Sequence, residues 1–134
     1  MTDQPVILIV EDNEANQMLA RAVLEMEGFQ VDIVGSAVEV VDYLRSTTPA
    51  LILMDIQLPG MDGLSLTRKL KEDVRTAHIP IVALTAHAMR GDREEALRSG
   101  CTGYIAKPIE VKTFGRQVGA FLVNRADDQR LVAQ

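Results

Sequence analysis

The sequence predicts a doubly wound α/β domain, in which a five-stranded parallel sheet is covered by helices on both faces. Three observations lead there. The aliphatic runs Val6-Ile7-Leu8-Ile9-Val10, Leu51-Ile52-Leu53-Met54 and Ile79-Pro80-Ile81-Val82-Ala83-Leu84 are too short for helices and lack polar alternation, as strands buried on both faces require. Stretches with apolar residues at helical spacing separate them, and that alternation is the order of a parallel sheet. Finally, 134 residues with 47% hydrophobic content suit one core and leave little room for a second.

Taken in order, Pro5 precedes the first strand, and Glu11-Asp12-Asn13-Glu14 follows it at once. Ala15, Met18, Leu19, Ala22, Val23 and Met26 then recur as a helical stripe that Gly28 closes, with Asp12 or Asn13 suited to cap the helix start. Phe29 to Val34 alternates more, as a strand nearer a sheet edge does. Ala37, Val40, Val41 and Leu44 mark a second helix, which Pro49 ends as a unit. After the central strand, Gly63 leads into a helix with Leu64, Leu66 and Leu70. Its charged run Arg68 to Asp73 is expected to be a solvated face with i,i+4 pairing. Thr85 stands at the end of the fourth strand. A thin stripe of Met89 and Leu97 follows, with Gly91 costing on the order of 1 kcal/mol relative to Ala, which predicts a marginal fourth helix. Gly103 to Ala106 is the fifth strand, ending in Lys107-Pro108. Val111, Phe114, Val118, Phe121 and Leu122 make the last helical stripe. One domain is expected over residues 1–124, with 125–134 a frayed tail or an extension of the last helix.

Composition excludes several classes. The net charge of -5 and the scattered basic residues argue against nucleic-acid binding. The N-terminus lacks a basic n-region and no apolar run reaches the 18 or so residues needed to span a bilayer, so a cytoplasmic chain is expected. The single Cys101 cannot form an internal disulfide and reads as a small buried hydrophobe. His78 and His87 lack a second nitrogen ligand at metal spacing, which argues against zinc.

In a parallel sheet, Glu11 and Asp12, Asp55, Thr85 and Lys107 all face the edge at the carboxyl ends of the strands, where such sheets bind ligands. Singly, each has an ordinary explanation: helix capping, a turn-initiating Asp, a β-prone Thr, a solvent-facing Lys. Together they need another. Carboxylates 4 Å apart repel by roughly 4 kcal/mol per pair at an effective dielectric near 20. A hard divalent cation offsets that, and oxygen-only ligands favour Mg²⁺. An ion, a hydroxyl and a lysine around one carboxylate make up the parts for phosphoryl transfer, with Asp55 as the nucleophile.

These residues resemble a response-regulator receiver domain of the CheY-like superfamily from about Val6 to Leu122. The motifs are Glu11-Asp12, Asp55 with Leu58-Pro59-Gly60-Met61-Asp62-Gly63, Thr85-Ala86 and Lys107-Pro108. The resemblance implies the sheet order 2-1-3-4-5. It also implies a histidine kinase or phosphotransfer protein that phosphorylates Asp55, with Mg²⁺ held by Glu11, Asp12, Asp55 and the Gln57 carbonyl. Further implications are phosphoryl contacts from Thr85, Ala86 and Lys107, a cis bond at Pro108, and a switch in which Thr85 turns inward with Tyr104. The switch would remodel the face of helix four, strand five and helix five toward a downstream protein effector or kinase. Gln57 and His87 would line the water's approach and set the lifetime of the acyl phosphate. The stretch from Ala77 to Met89 looks most like DivK-type single-domain receivers and hybrid-kinase receivers. With no output module after Leu122, the chain is expected to signal through a partner, as a monomer or a weak phosphorylation-promoted dimer, without catalytic activity beyond its own phosphoryl acceptance and slow autodephosphorylation.

Rival readings meet specific obstacles. A flavin carrier would need a hydroxyl- and glycine-rich first loop, and the acidic loop here repels phosphate. An aspartate-nucleophile phosphatase would carry a second Asp where Gln57 stands. A phosphorylation-independent receiver-like docking module remains the alternative function, although the pocket keeps all its parts.

Overall fold

The computed structural model describes residues 5–122 except 59, 61 and 87–89, with Arg90 described in its backbone alone. The strands are β1 (Val6–Val10), β2 (Gln30–Val34), β3 (Leu51–Asp55), β4 (Ile81–Thr85) and β5 (Gly103–Ala106). Between them run α1 (Glu14–Met26), α2 (Ala37–Leu44), α3 (Gly63–Glu72) and α4 (Arg90–Arg98), and α5 covers 114–122. All strand pairs are parallel and the order is β2-β1-β3-β4-β5, as expected for the doubly wound sheet. The expected tail at 125–134, His87 and Met89 lie outside the described residues.

The lack of alternation in the aliphatic runs follows from the two-sided burial. On the central strand Ile52 and Met54 face one core, with Leu8, Val10, Ile81 and Ala83, under Val40 of α2 and Leu64, Leu66 and Leu70 of α3. Leu51 and Leu53 face the other, with Ile7, Ile9, Val82 and Leu84, under Ala20, Val23 and Leu24 of α1 and Phe114 and Val118 of α5. Each such side chain contributes about 1.5–3 kcal/mol by leaving water, so register is firmly set: a slip by one residue would exchange the two cores.

Helix faces required several corrections. On α1 the buried residues are Ala20, Val23 and Leu24, whereas Met18 is 70% and Met26 83% exposed. The stripe Ala15, Met18, Leu19, Ala22 and Met26 therefore faces solvent, and of the residues expected inside only Val23 is buried. Two apolar rows share the 3.6-residue period, and the sheet selects between them. Leu97 is likewise exposed, and α4 packs through Ala96 instead. Val111 is exposed in the turn before α5. In the charged run, Lys71 reaches beyond α3. Its Nζ donates to the carbonyls of Ala77 and Ile79 at 3.0 and 2.6 Å and so ties down the loop into β4.

On the α2 side, Tyr43 Oη donates to Asp32 Oδ2 at 2.7 Å. Burial, followed by the adjacent carboxylate, raises the phenol's pKa well above its ordinary value. A raised folded pKa means this group's stabilisation is complete below the unfolded value near 10 and is lost as pH climbs through the folded one. Tyr43→Phe should cost about 1–2 kcal/mol at pH 8 and flatten part of the alkaline decline, checked by urea midpoints from pH 8 to 11.

Candidate functional site

Strand direction and register assemble the site. Val10 pairs with Met54, Asp55 with Leu84 and Thr85 with Ala106, so the residues that follow β1, β4 and β5 meet Asp55 at one edge. Local bonds lock these ends. Lys107 N–H donates to the Thr85 carbonyl at 2.7 Å, Ile56 N–H to that of Leu84 at 3.2 Å and Glu11 N–H to that of Val34 at 3.0 Å.

Glu11 and Asp55 are buried, at 2% and 4% exposure, and Asp12 is exposed beside them. One carboxylate oxygen from each lies within 4.8 Å of the others. Asp55 Oδ1 accepts the Gln57 N–H at 2.9 Å, and Oδ2 accepts Lys107 Nζ at 3.1 Å. Glu11 Oε2 accepts the Asn13 N–H at 3.1 Å. Glu11 Oε1 sits 2.8 Å from Lys107 Nζ but lacks an aligned donor. The ion pair is therefore real in charge and poor in hydrogen-bond geometry, which leaves a buried anionic oxygen with unused acceptor capacity.

Electrostatics differ between the two carboxylates. Burial raises the pKa of Asp55 and Glu11 repulsion adds to this, and neither the Gln57 N–H nor Lys107 reverses the shift. Burial also opposes ionisation of Glu11, but Lys107 and the Asn13 N–H outweigh it and hold its pKa below the ordinary value. Lys107 loses hydration too, yet the two carboxylates raise its pKa and keep it charged. Three carboxylates against one ammonium leave a formal excess of two negative charges. That excess and the orphaned Glu11 oxygen fit a hard divalent cation with oxygen ligands.

The other expected residues have distinct places. Thr85 is buried at 3% exposure at the end of β4. Ala86, Lys107 and Pro108 line a cavity of about 350 Å³ with Asn16 and Ile109, next to the acidic cluster. The Lys107–Pro108 bond is cis. Tyr104, on β5, is half-buried, and its hydroxyl accepts a hydrogen bond from Arg93 of α4. Gln57 is exposed and meets Asp55 through its backbone N–H.

Three further residues support the site: Asn13, which the sequence marked only as a possible helix cap, Gly63, which it marked only as part of the motif after Asp55, and Gln17, which gave no signal. Asn13 caps α1 through its side chain, accepting the Asn16 N–H at 2.9 Å, while its N–H holds Glu11. Gln17 Nε2 donates to the Glu11 carbonyl at 2.6 Å. Gly63 allows α3 to begin against the strand end: an added Cβ would collide with the Asp55 carbonyl and lie 2.7 Å from Ile56 Cα. Backbone cannot swing aside as a flexible side chain can. Gly63→Ala should cost about 2 kcal/mol and displace Asp55, read as a lower urea midpoint together with weaker Mg²⁺ binding.

Among the described residues no helix is long and apolar enough to cross a membrane. The family model for the response regulator receiver domain matches residues 7–118. The polar-differentiation response regulator DivK of Brucella ovis is 45% identical over 116 residues, covering 87% of this chain and 94% of that protein, and DivK of Brucella anthropi is 44% identical over the same shares. The receiver domain of a sensor histidine kinase from Pseudomonas aeruginosa PAO1 superposes with a TM-score of 0.80 at 36% identity, over 90% of this chain and 98% of that one. It was solved with a magnesium ion coordinated in its active site cleft. A CheY-like receiver domain protein from Methanospirillum hungatei JF-1 gives a TM-score of 0.84 at 26% identity, over 94% and 99%. Receiver domains bind Mg²⁺ at their acidic site, and the cluster here has the chemistry for it. By sequence match, sheet order and the acid cluster with its lysine at one sheet edge, this chain belongs to the response regulator receiver domain family.

Proposed function

We propose that Asp55 is the phosphoacceptor of a two-component or phosphorelay system. The observation that carries this reading is one buried carboxylate held between Lys107 and a backbone N–H, beside a buried Glu11 oxygen without an aligned donor. Glu11, Asp12, Asp55 and the Gln57 carbonyl would hold Mg²⁺, which when bound supplies charge neutralisation for the transferring phosphoryl oxygens.

An Asp55 oxygen attacks phosphorus of a phosphohistidine on a histidine kinase or phosphotransfer protein. The P–O bond forms as the P–N bond breaks, and the departing imidazole takes up a proton. Lys107 holds Asp55 in place and then pairs with a phosphoryl oxygen, while the Thr85 hydroxyl and the Ala86 N–H donate to others. The cavity lined by Asn16, Ala86, Lys107, Pro108 and Ile109 would admit the donor imidazole, and Met18 and Leu19, which follow Asn16 on α1, are exposed apolar side chains.

Phosphorylation adds about -1.5 to -2 charges, which favours a state with Thr85 and Tyr104 turned inward and the α4–β5–α5 face remodelled for a protein partner. Gln57 and His87 tune hydrolysis, the chain's own chemistry being limited to phosphoryl acceptance and slow autodephosphorylation. The receiver occupies residues 1–124, works in the cytoplasm, contacts neither nucleic acid nor membrane, and is a monomer or a weak phosphorylation-promoted dimer.

The test is beryllofluoride, an acyl-phosphate mimic, with Mg²⁺ and amide NMR. Shifts centred on Asp55, Thr85 and Lys107 that spread to Tyr104, and that vanish without Mg²⁺, are expected. No binding at millimolar reagent would leave a phosphorylation-independent docking module.

A further inference from the structure

Arg93 of α4 grips Tyr104 in two ways. Its Nε donates to Tyr104 Oη at 2.8 Å, and its Cζ stands 4.8 Å from the ring centroid, over the ring. The first is a charge-assisted hydrogen bond and the second a cation–π contact. Tyr104 follows Gly103 on β5, with its ring packed at the margin of the core beneath α4. The phenol oxygen cannot remain on Arg93 and also move toward the strand ends, so any inward movement of the ring gives up both contacts.

We propose that Arg93 is a positioning residue that holds Tyr104 in its resting place and thereby sets how much phosphorylation must supply to throw the switch. This inference rests on the reading of Asp55 and Tyr104 given above. No residue of the acidic cluster touches Arg93 in the contacts described, so its influence on the phosphorylation site passes through Tyr104. The energetics give the direction. Contacts made only in the resting state favour that state, and removing them raises the active-like population before any phosphoryl group arrives. Ligands that bind the active-like state then bind more tightly by the factor gained in its population.

The experiment uses the full chain with tyrosine labelled at the ring carbon bearing oxygen. Only Tyr43 and Tyr104 report, and Tyr43→Phe assigns the two signals. In Arg93→Ala the resting Tyr104 signal should move toward the position it takes with beryllofluoride and Mg²⁺, and beryllofluoride affinity should rise by up to about tenfold. Arg93→Lys, which keeps charge and a donor but not the planar stack, should fall between. In Tyr104→Leu, which removes both the hydroxyl and the ring, adding Arg93→Ala should change affinity far less than it does alone.

An unmoved signal and unchanged affinity in Arg93→Ala would overturn the proposal. So would an equal effect in the Tyr104→Leu background, which would place the role of Arg93 in α4 itself. If beryllofluoride binds in an Asp55-dependent way but the Tyr104 signal stays still, the positioning role falls and the phosphoacceptor stands. If beryllofluoride does not bind at all, both fall.

Discussion

Asp55→Asn is expected to abolish phosphoryl labelling and beryllofluoride binding while leaving the fold intact. Asn lacks the anionic oxygen proposed to attack phosphorus, and Glu11, the other buried carboxylate, is a poor substitute because Lys107 and the Asn13 N–H hold its pKa down and so weaken it as a nucleophile. The fold should gain. Burial, with the repulsion of Glu11 added, raises the pKa of Asp55, so the charged form weakens the folded state. A neutral isostere should relieve that by on the order of 1 kcal/mol at pH 7. The sign follows from linkage: a carboxyl with a raised folded pKa makes stability fall as pH rises from the unfolded value through the folded one, and the Asn variant lacks that decline. Two measurements check it, radiolabel from a phosphorylated histidine donor and urea midpoints from pH 4 to 8. Stable label on the Asn variant would remove Asp55 as the acceptor; a lower midpoint would mean that its charge is better compensated than the site geometry indicates.

The parts of this protein legible in its sequence are those where one physical demand acts on contiguous residues. Two-sided burial requires uninterrupted aliphatic runs, so β1, β3 and β4 declare themselves, and the edge position of β2 is visible in its greater alternation. The candidate site is legible for the same reason. Parallel strands bring their carboxyl ends to one edge, so acids, a hydroxyl and a lysine immediately after strands could be placed together without coordinates. Non-local choices were not legible. On α1, Met18, Leu19 and Met26 repeat with the same period as Ala20, Val23 and Leu24, and nothing local says which row the sheet will cover. Lys71 looked like part of a solvated run because its partners, the carbonyls of Ala77 and Ile79, lie beyond the helix. Arg93 gave no signal either, since its meaning depends on a ring that α4 packs against eleven residues later.

Lys107→Ala should uncouple phosphorylation from the surface change and should also be the costliest substitution in the site for the resting protein. Lys107 Nζ, only 17% exposed in its side chain, lies 2.8 Å from Glu11 Oε1 and 3.1 Å from Asp55 Oδ2. Its removal strands two buried carboxylates with backbone N–H donors alone, and losing one member of a buried ion pair costs about 3–5 kcal/mol. Mg²⁺ can restore the missing positive charge, so the variant should recover more stability on adding Mg²⁺ than the wild type does, in proportion to the logarithm of free ion over its dissociation constant. The contribution of Glu11 to the pH response should reverse as well. With Lys107 present, Glu11 has a lowered folded pKa and contributes stability that is complete above its unfolded value and lost as pH falls through the folded one. Without Lys107, burial and mutual repulsion raise both carboxyl pKa values, and stability instead declines as pH rises from the unfolded carboxyl range near 4 upward. Urea midpoints from pH 4 to 8, with and without Mg²⁺, read both effects. Some labelling of Asp55 should survive, because the nucleophile and its other ligands remain. Amide shifts at Tyr104 and α4 should not follow that labelling, because the cation proposed to pair with the phosphoryl oxygen, which directly follows β5, is gone. A Lys107→Ala protein as stable as wild type without Mg²⁺ would mean that the two carboxylates share a proton in the resting state, and that Lys107 is dispensable to the charge balance.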